Sequence, residues 1–135
     1  MTQENKELLL KDLCARLPYG VYIEHTKSGV MGRLQDISVF QTYNEDDTVK
    51  DYLCYTNFFG DEAYEIEYFR PYLYPLSSMT EEQSKIYHEL IEGMFGTSAL
   101  INFEVLEEFF YKNHIDFRGL IRLGLAKDST GLNIY

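Results

Sequence analysis

The stretch His88-Glu89-Leu90-Ile91-Glu92 comes closest to the pattern of a metal centre. A zinc-protease helix carries two histidines one turn apart, because residues i and i+4 share a helix face and two ligands must converge. Here the second position is Glu92 rather than histidine. Leu90 and Ile91 belong to an apolar stripe, so His88 and Glu92 are expected to face solvent, and no third ligand stands nearby. His114 follows Asn113 at an expected helix end, where an imidazolium would complement the helix dipole. Cys14 and Cys54 follow no metal spacing and sit in no recognisable nucleophile context, which implies two buried free thiols in a reducing compartment. The glycines of Gly29-Val30-Met31-Gly32 lack the lysine and the strand-to-helix setting of a phosphate loop. No catalytic residue, metal ligand or cofactor is assigned. A small hydrolase using His88 or a cysteine is the enzymatic alternative.

Acidic and aromatic clusters carry the remaining chemistry. Glu45, Asp46, Asp47 and Asp51 crowd one turn, and Asp61, Glu62, Glu65 and Glu67 crowd another. Neither has the alternating aspartates and distal glutamate of a calcium loop. As hairpin tips they need only water. Facing a basic groove they would mimic nucleic-acid phosphates. Tyr64, Tyr68, Tyr72 and Tyr74 share one parity and would form an aromatic strip, which suits a protein interface. Alternate burial along a strand explains Tyr64 and Tyr68 equally well. The candidate partner-binding residues are therefore Tyr64, Tyr68, Tyr72, Tyr74, Glu45, Asp46 and Asp47.

The chain has 135 residues, enough for one domain with a real core. With 12 Tyr, 9 Phe and no Trp it is too aromatic for a disordered chain. Net charge is −10, split as −6 before Thr80 and −4 from Thr80 onward. That balance disfavours direct binding to nucleic acid or anionic lipid and favours a basic partner. The apolar run Leu8-Leu9-Leu10 is too short for a signal peptide or membrane span, so a cytoplasmic protein is expected.

The elements that would position these groups divide at Arg70-Pro71-Tyr72-Leu73-Tyr74-Pro75, with strands before and helices after. Residues 5–16 read as a helix, on which Leu8, Leu9, Asp12, Leu13 and Arg16 follow the helical period and which Pro18 and Gly20 stop. Its apolar stripe implies a lid on the fold or a partner-binding helix. Residues 20–75 read as the β part. Residues 20–25 form a strand closed by the turn Lys27-Ser28-Gly29. The parity of apolar residues changes near Asp36, which predicts a bulge. Tyr52 to Tyr55 continue the sheet, and residues 64–69 alternate cleanly, with Pro71 pointing to an edge strand. Five short strands imply a small curled antiparallel sheet or an SH3-like barrel.

Residues 80–124 read as the helical part. Thr80-Glu81-Glu82-Gln83 is a capping box, followed by a stripe of Ile86, Tyr87, Leu90, Ile91, Met94 and Phe95. Asn102 is expected to cap a helix with Phe103, Leu106, Phe109 and Phe110 inward, and Asp116 a short one ending at Gly124. The segment from Lys127 to Tyr135 reads as loosely held. The expected fold is thus α+β: N-terminal helix, curled sheet or barrel, C-terminal helices.

Three pieces, Leu17-Pro18-Tyr19-Gly20, residues 71–80, and Asp116-Phe117-Arg118-Gly119-Leu120-Ile121 with Gly124-Leu125-Ala126, resemble a set of small uncharacterised proteins of phages and mobile elements of gut bacteria. The resemblance implies a phage or prophage accessory protein and lends no residue a role. The functional expectation is a non-enzymatic protein-interaction domain with an unidentified protein partner. An acidic nucleic-acid mimic that inhibits a DNA- or RNA-binding protein is the alternative.

Overall fold

Thr2 caps the first helix: its hydroxyl accepts the Asn5 N–H at 3.1 Å, and α1 follows over Gln3–Arg16. The computed structural model describes residues 1–43, 48–56, 63–93 and 99–135. Pro18 sits in a single 3-10 turn over Leu17–Tyr19, and Gly20 (φ 73°) turns the chain into the sheet. Strands β1 (Tyr22–His25), β2 (Met31–Tyr43), β3 (Thr48–Thr56), β4 (Ala63–Glu65) and β5 (Phe69–Pro75) come next. Helices α2 (Glu81–Gly93) and α3 (Ala99–Lys112) follow, with two-residue strands β6 (Ile115–Asp116) and β7 (Lys127–Asp128) behind them.

The fold is α+β, with a mixed open sheet. Its main strands run in the order β4-β3-β2-β1-β5, antiparallel throughout, and β6 and β7 pair parallel with β5. The bulge predicted near Asp36 is present as a register shift between Leu34 and Asp36. The alternating segment 64–69 is not one strand. It breaks into a 3-10 turn over Ile66–Tyr68, stabilised by Arg70, whose guanidinium donates to the carbonyls of Glu67, Phe69 and Gly124 at 2.8, 2.7 and 3.0 Å.

That turn joins the two end strands of the antiparallel set. A flat five-strand sheet would separate them by about 19 Å, whereas four residues of chain reach at most about 14 Å. The sheet therefore curls. It does not close into the SH3-like barrel expected from the strand count, because β4 has only three residues before the turn begins. Pro71 is accommodated in β5 opposite Ile23. Thr26 N–H donates to Tyr68 C=O at 2.7 Å, which places Ile23 and Pro71 at a position of that ladder where no N–H is required.

The helical part begins as the sequence implies. Gln83 N–H donates to the Thr80 hydroxyl at 3.1 Å, and the Gln83 side chain accepts the Thr80 N–H at 3.0 Å. Two expectations need correction. Asn102 lies within α3 rather than capping it. Residues 117–124 form bends and turns, not a helix, and Gly119 takes φ 77°. Asp116 still accepts from Leu120 and Ile121 N–H at 2.8 and 2.9 Å.

Two apolar clusters result. One joins α1, the curled sheet and the segment around Leu120 and Leu125, with Leu9, Leu13, Val21, Ile66, Phe69 and Leu73 fully buried. The other gathers Leu106, Phe109, Phe110 and Ile115 against Tyr87, Leu90 and Ile91.

Candidate functional site

Among the described residues the second cluster is covered on one side only. No residue of α2 is fully buried. Phe110 stacks on Phe117 at 4.8 Å, and Tyr87 leans on Phe110 at 5.9 Å, which closes the inner face of the helix pair. On the outer face lies a groove of about 260 Å³, lined by Ile86, Leu90, Val105, Glu108, Phe109 and Lys112. Ile86 and Phe103, expected inward, are 39 % and 48 % exposed, and Val105 is 41 % exposed. The stripe of α2 is wider than α3 can cover, so its Ile86 edge faces water. The groove lining itself carries one acid and one base, Glu108 and Lys112. Over all their faces the two helices carry Glu81, Glu82, Glu89, Glu92, Glu104, Glu107 and Glu108 against Lys85 and Lys112, so the helix pair as a whole is acidic.

The tyrosines singled out from the sequence divide into separate surroundings. Tyr64 and Tyr68 gather on His25, with ring centroids 4.7 and 6.2 Å away, and Lys27 Nζ lies 4.0 Å from the Tyr68 ring centre. Tyr72 is buried, and its hydroxyl donates to Glu24 Oε2 at 2.7 Å. Burial first, and then that carboxylate, push its phenol up to about 12. Tyr74 stands on the opposite flank, 6.0 Å from the Tyr135 ring. Tyr64 lies on β4, Tyr68 in the 3-10 turn, and Tyr72 and Tyr74 on β5, so the four are not on one strand. Glu45, Asp46 and Asp47 lie outside the described residues.

A buried charge network joins the clusters. Arg16 and Asp12 are fully buried on α1, one turn apart. Arg16 Nε donates to Asp12 Oδ2 at 2.8 Å, and Arg16 Nη2 donates to Ile115 C=O at 2.7 Å. Arg118 Nη1 donates to Asp12 Oδ1 at 2.7 Å, its Nη2 donates to the Tyr111 hydroxyl at 2.8 Å, and its guanidinium lies 4.4 Å over the Phe117 ring. The carboxylate thus divides its two oxygens between two cations. The period of α1 had placed Asp12 and Arg16 beside Leu9 and Leu13, but nothing in the sequence identified Arg118 as their partner.

Beside this network, between the start of α2 and the end of α3, is a cleft of about 500 Å³. Tyr74, Thr80, Lys112, Asn113, His114 and Tyr135 are among its walls. Gln83 Nε2 donates to Asn113 Oδ1 at 3.3 Å across it. His114 is not the helix-end cation expected. Burial and then the charge of Arg16 lower its pKa to about 4, so the ring is neutral near pH 7.

The remaining candidates for chemistry are dispersed. His88 and Glu92 both face solvent. Cys14 is exposed on α1, not buried as expected, while Cys54 lies on β3. His25 is buried, with Nδ1 2.9 Å from Ser28 Oγ. Among the described residues no three His, Cys, Asp or Glu side chains converge as a metal would require, and no helix is long and apolar enough to cross a membrane. Comparison with known proteins gives no match to any family model, curated protein or solved structure.

Proposed function

We propose that the chain is a non-enzymatic protein-interaction domain acting in the cytoplasm, whose α2–α3 groove receives a basic amphipathic helix of a protein partner. One observation carries this reading: an apolar groove, left open by the described residues, on a helix pair that bears seven glutamates and two lysines. Apolar anchors at helical spacing would enter between Ile86, Leu90, Val105 and Phe109. Lysines or arginines on the margins of the same helix would meet the glutamates. The groove runs between two packed helices, so it presents a formed surface rather than one assembled on binding. The proposed role is that of an accessory protein, in keeping with the phage-like phrasing of the sequence.

The test compares the unmodified chain with Ile86→Asp/Val105→Asp. A Leu/Lys amphipathic helical peptide serves as the defined probe, and host lysate as the source of partners, each at low and high salt. Binding of the peptide and of one stoichiometric protein, both abolished by the double substitution, is the expected result. If the substitution changes neither, the groove is not the docking surface. Acidic mimicry of nucleic acid is the second reading, favoured by the net charge of −10. It predicts a basic nucleic-acid-binding partner that is lost at high salt and unaffected by the groove substitutions.

A further inference from the structure

Tyr135 is held in a way its neighbours are not. Thr130, Gly131, Leu132 and Asn133 are exposed. The Tyr135 ring, in contrast, stacks on His114 at 3.6 Å and 11°, with the rings of Tyr22 and Tyr74 5.5 and 6.0 Å away. Its hydroxyl accepts the Tyr22 N–H at 2.9 Å and donates to the Tyr72 C=O at 2.7 Å. Although 40 % of the residue is exposed, burial raises its phenol far above the usual tyrosine range.

Strand register explains what the hydroxyl is doing. Thr26 donates to Tyr68, and hydrogen-bonded pairs of an antiparallel ladder recur at every second residue. The β1–β5 register pairs Glu24 with Arg70 and Ile23 with Pro71, so the next such pair is Tyr22 with Tyr72. The Tyr22 N–H and Tyr72 C=O are therefore the donor and acceptor with which the ladder would end. A phenol bridges them, since its oxygen both donates and accepts. The neutral His114 ring supplies the stacking surface. None of these recognition groups belongs to the segment that carries Tyr135.

We propose that the junction of β1 and β5 is a phenol-binding site, filled in cis by Tyr135, which takes a tyrosine side chain of a partner segment in trans. The site opens into the 500 Å³ cleft between α2 and α3, which Tyr135 and His114 help to line and which has room for residues flanking an incoming tyrosine. A side chain tethered by six residues acts at an effective concentration of about millimolar. A trans segment displaces it once contacts in the cleft exceed that advantage. This site is distinct from the outer groove of α2 and α3 and stands without it.

The test uses Tyr135→Ala with p-cresol, the tyrosine side chain as a free molecule, and toluene, the same molecule without its hydroxyl. Thermal unfolding is followed at increasing ligand. A saturable rise in Tm of the variant with p-cresol is expected, with toluene about tenfold weaker or worse, since two backbone groups are then left unpaired. N-acetyltyrosinamide should stabilise the variant as p-cresol does, and N-acetylphenylalaninamide should not. If Tyr135→Ala is unfolded alone, p-cresol should refold it, because a ligand of the native state alone shifts the same equilibrium. Equal effects of p-cresol and toluene, no effect of either, or an equal rise in the unmodified chain would each overturn the proposal.

Discussion

The two apolar clusters are built from similar residues, yet one is sealed and the other is not. In the first, Leu9 and Leu13 of α1 meet Phe69 and Leu73 of β5 with nothing exposed, and Ala126 at its margin keeps 8 %. In the second, Leu106, Phe109 and Phe110 retain 6–9 % exposure, and their covering helix α2 has no buried residue. The first has a curled sheet on one side and a helix on the other. The second has two helices, and among the described residues no sheet covers their outer face. Cores of two layers can stay dry only when each layer covers the other's apolar face. The contrast teaches that the sheet end of this fold closes its core, while the helical end leaves apolar side chains such as Ile86, Phe103 and Val105 at the surface.

The largest effect expected is at the link between the ends. Asp12→Ala leaves Arg16 charged and buried with no carboxylate, at a cost of about 3–5 kcal/mol. Urea unfolding followed by circular dichroism measures it. Asp12→Leu/Arg16→Met should lose less than Asp12→Ala alone, because the fully buried charge is gone and the remaining cation, Arg118, reaches solvent. If the single and double variants fall equally, packing rather than charge pairing joins the clusters.

Next comes a direct contrast of leucines. Leu13→Ala in the sealed cluster should cost about 2–5 kcal/mol, and Leu90→Ala, half-covered, about 1 kcal/mol. Matching values would abolish the distinction. Acid sharpens it further. His25, on the sealed side, and His114, beside the helical pair, are both held below the usual imidazole range, chiefly by burial. The unfolded chain takes up protons near pH 6.5, while His114 refuses them until about pH 4. Stability from this source is complete above about pH 6.5 and declines as pH falls toward 4. His25→Gln and His114→Gln should each flatten the slope between about pH 6.5 and 5, before the carboxylates titrate. An unchanged slope in His114→Gln would contradict its burial as a neutral ring. Smallest is Ile86→Asp/Val105→Asp, which should shift stability by about 0.5 kcal/mol or less, as exposed positions do. A large loss would mean that the groove is core after all.

Much of the fold was legible where the signal is local. The Thr80–Gln83 capping box, the stop at Pro18 and Gly20, and the bulge at Asp36 each depend on a few adjacent residues. The strand read through residues 64–69 failed because alternation is indifferent to a 3-10 turn, whose carbonyls Arg70 satisfies from outside the segment. The helix read after Asp116 failed because Gly119 was free to turn left-handed. The site was less legible still. Ile86 and Phe103 have the composition of core residues, and only the extent of their partner helix decides that they face water. Tyr135 looked like part of a loose end because its partners lie 63 and 113 residues away.

The Asp12–Arg118 ion pair spans 106 residues, and the Arg16 bond to Ile115 spans 99. On a ribosome α1 therefore emerges well before its partners. At about 5–20 residues per second the helix waits roughly 5–20 s before its clamp can close. Through that interval α1 lacks its tertiary partners, and a helix of 14 residues is marginal without them. The pair that joins the two cores is therefore completed only when Ile115 and Arg118 arrive, which makes the docking of α1 a late event in folding.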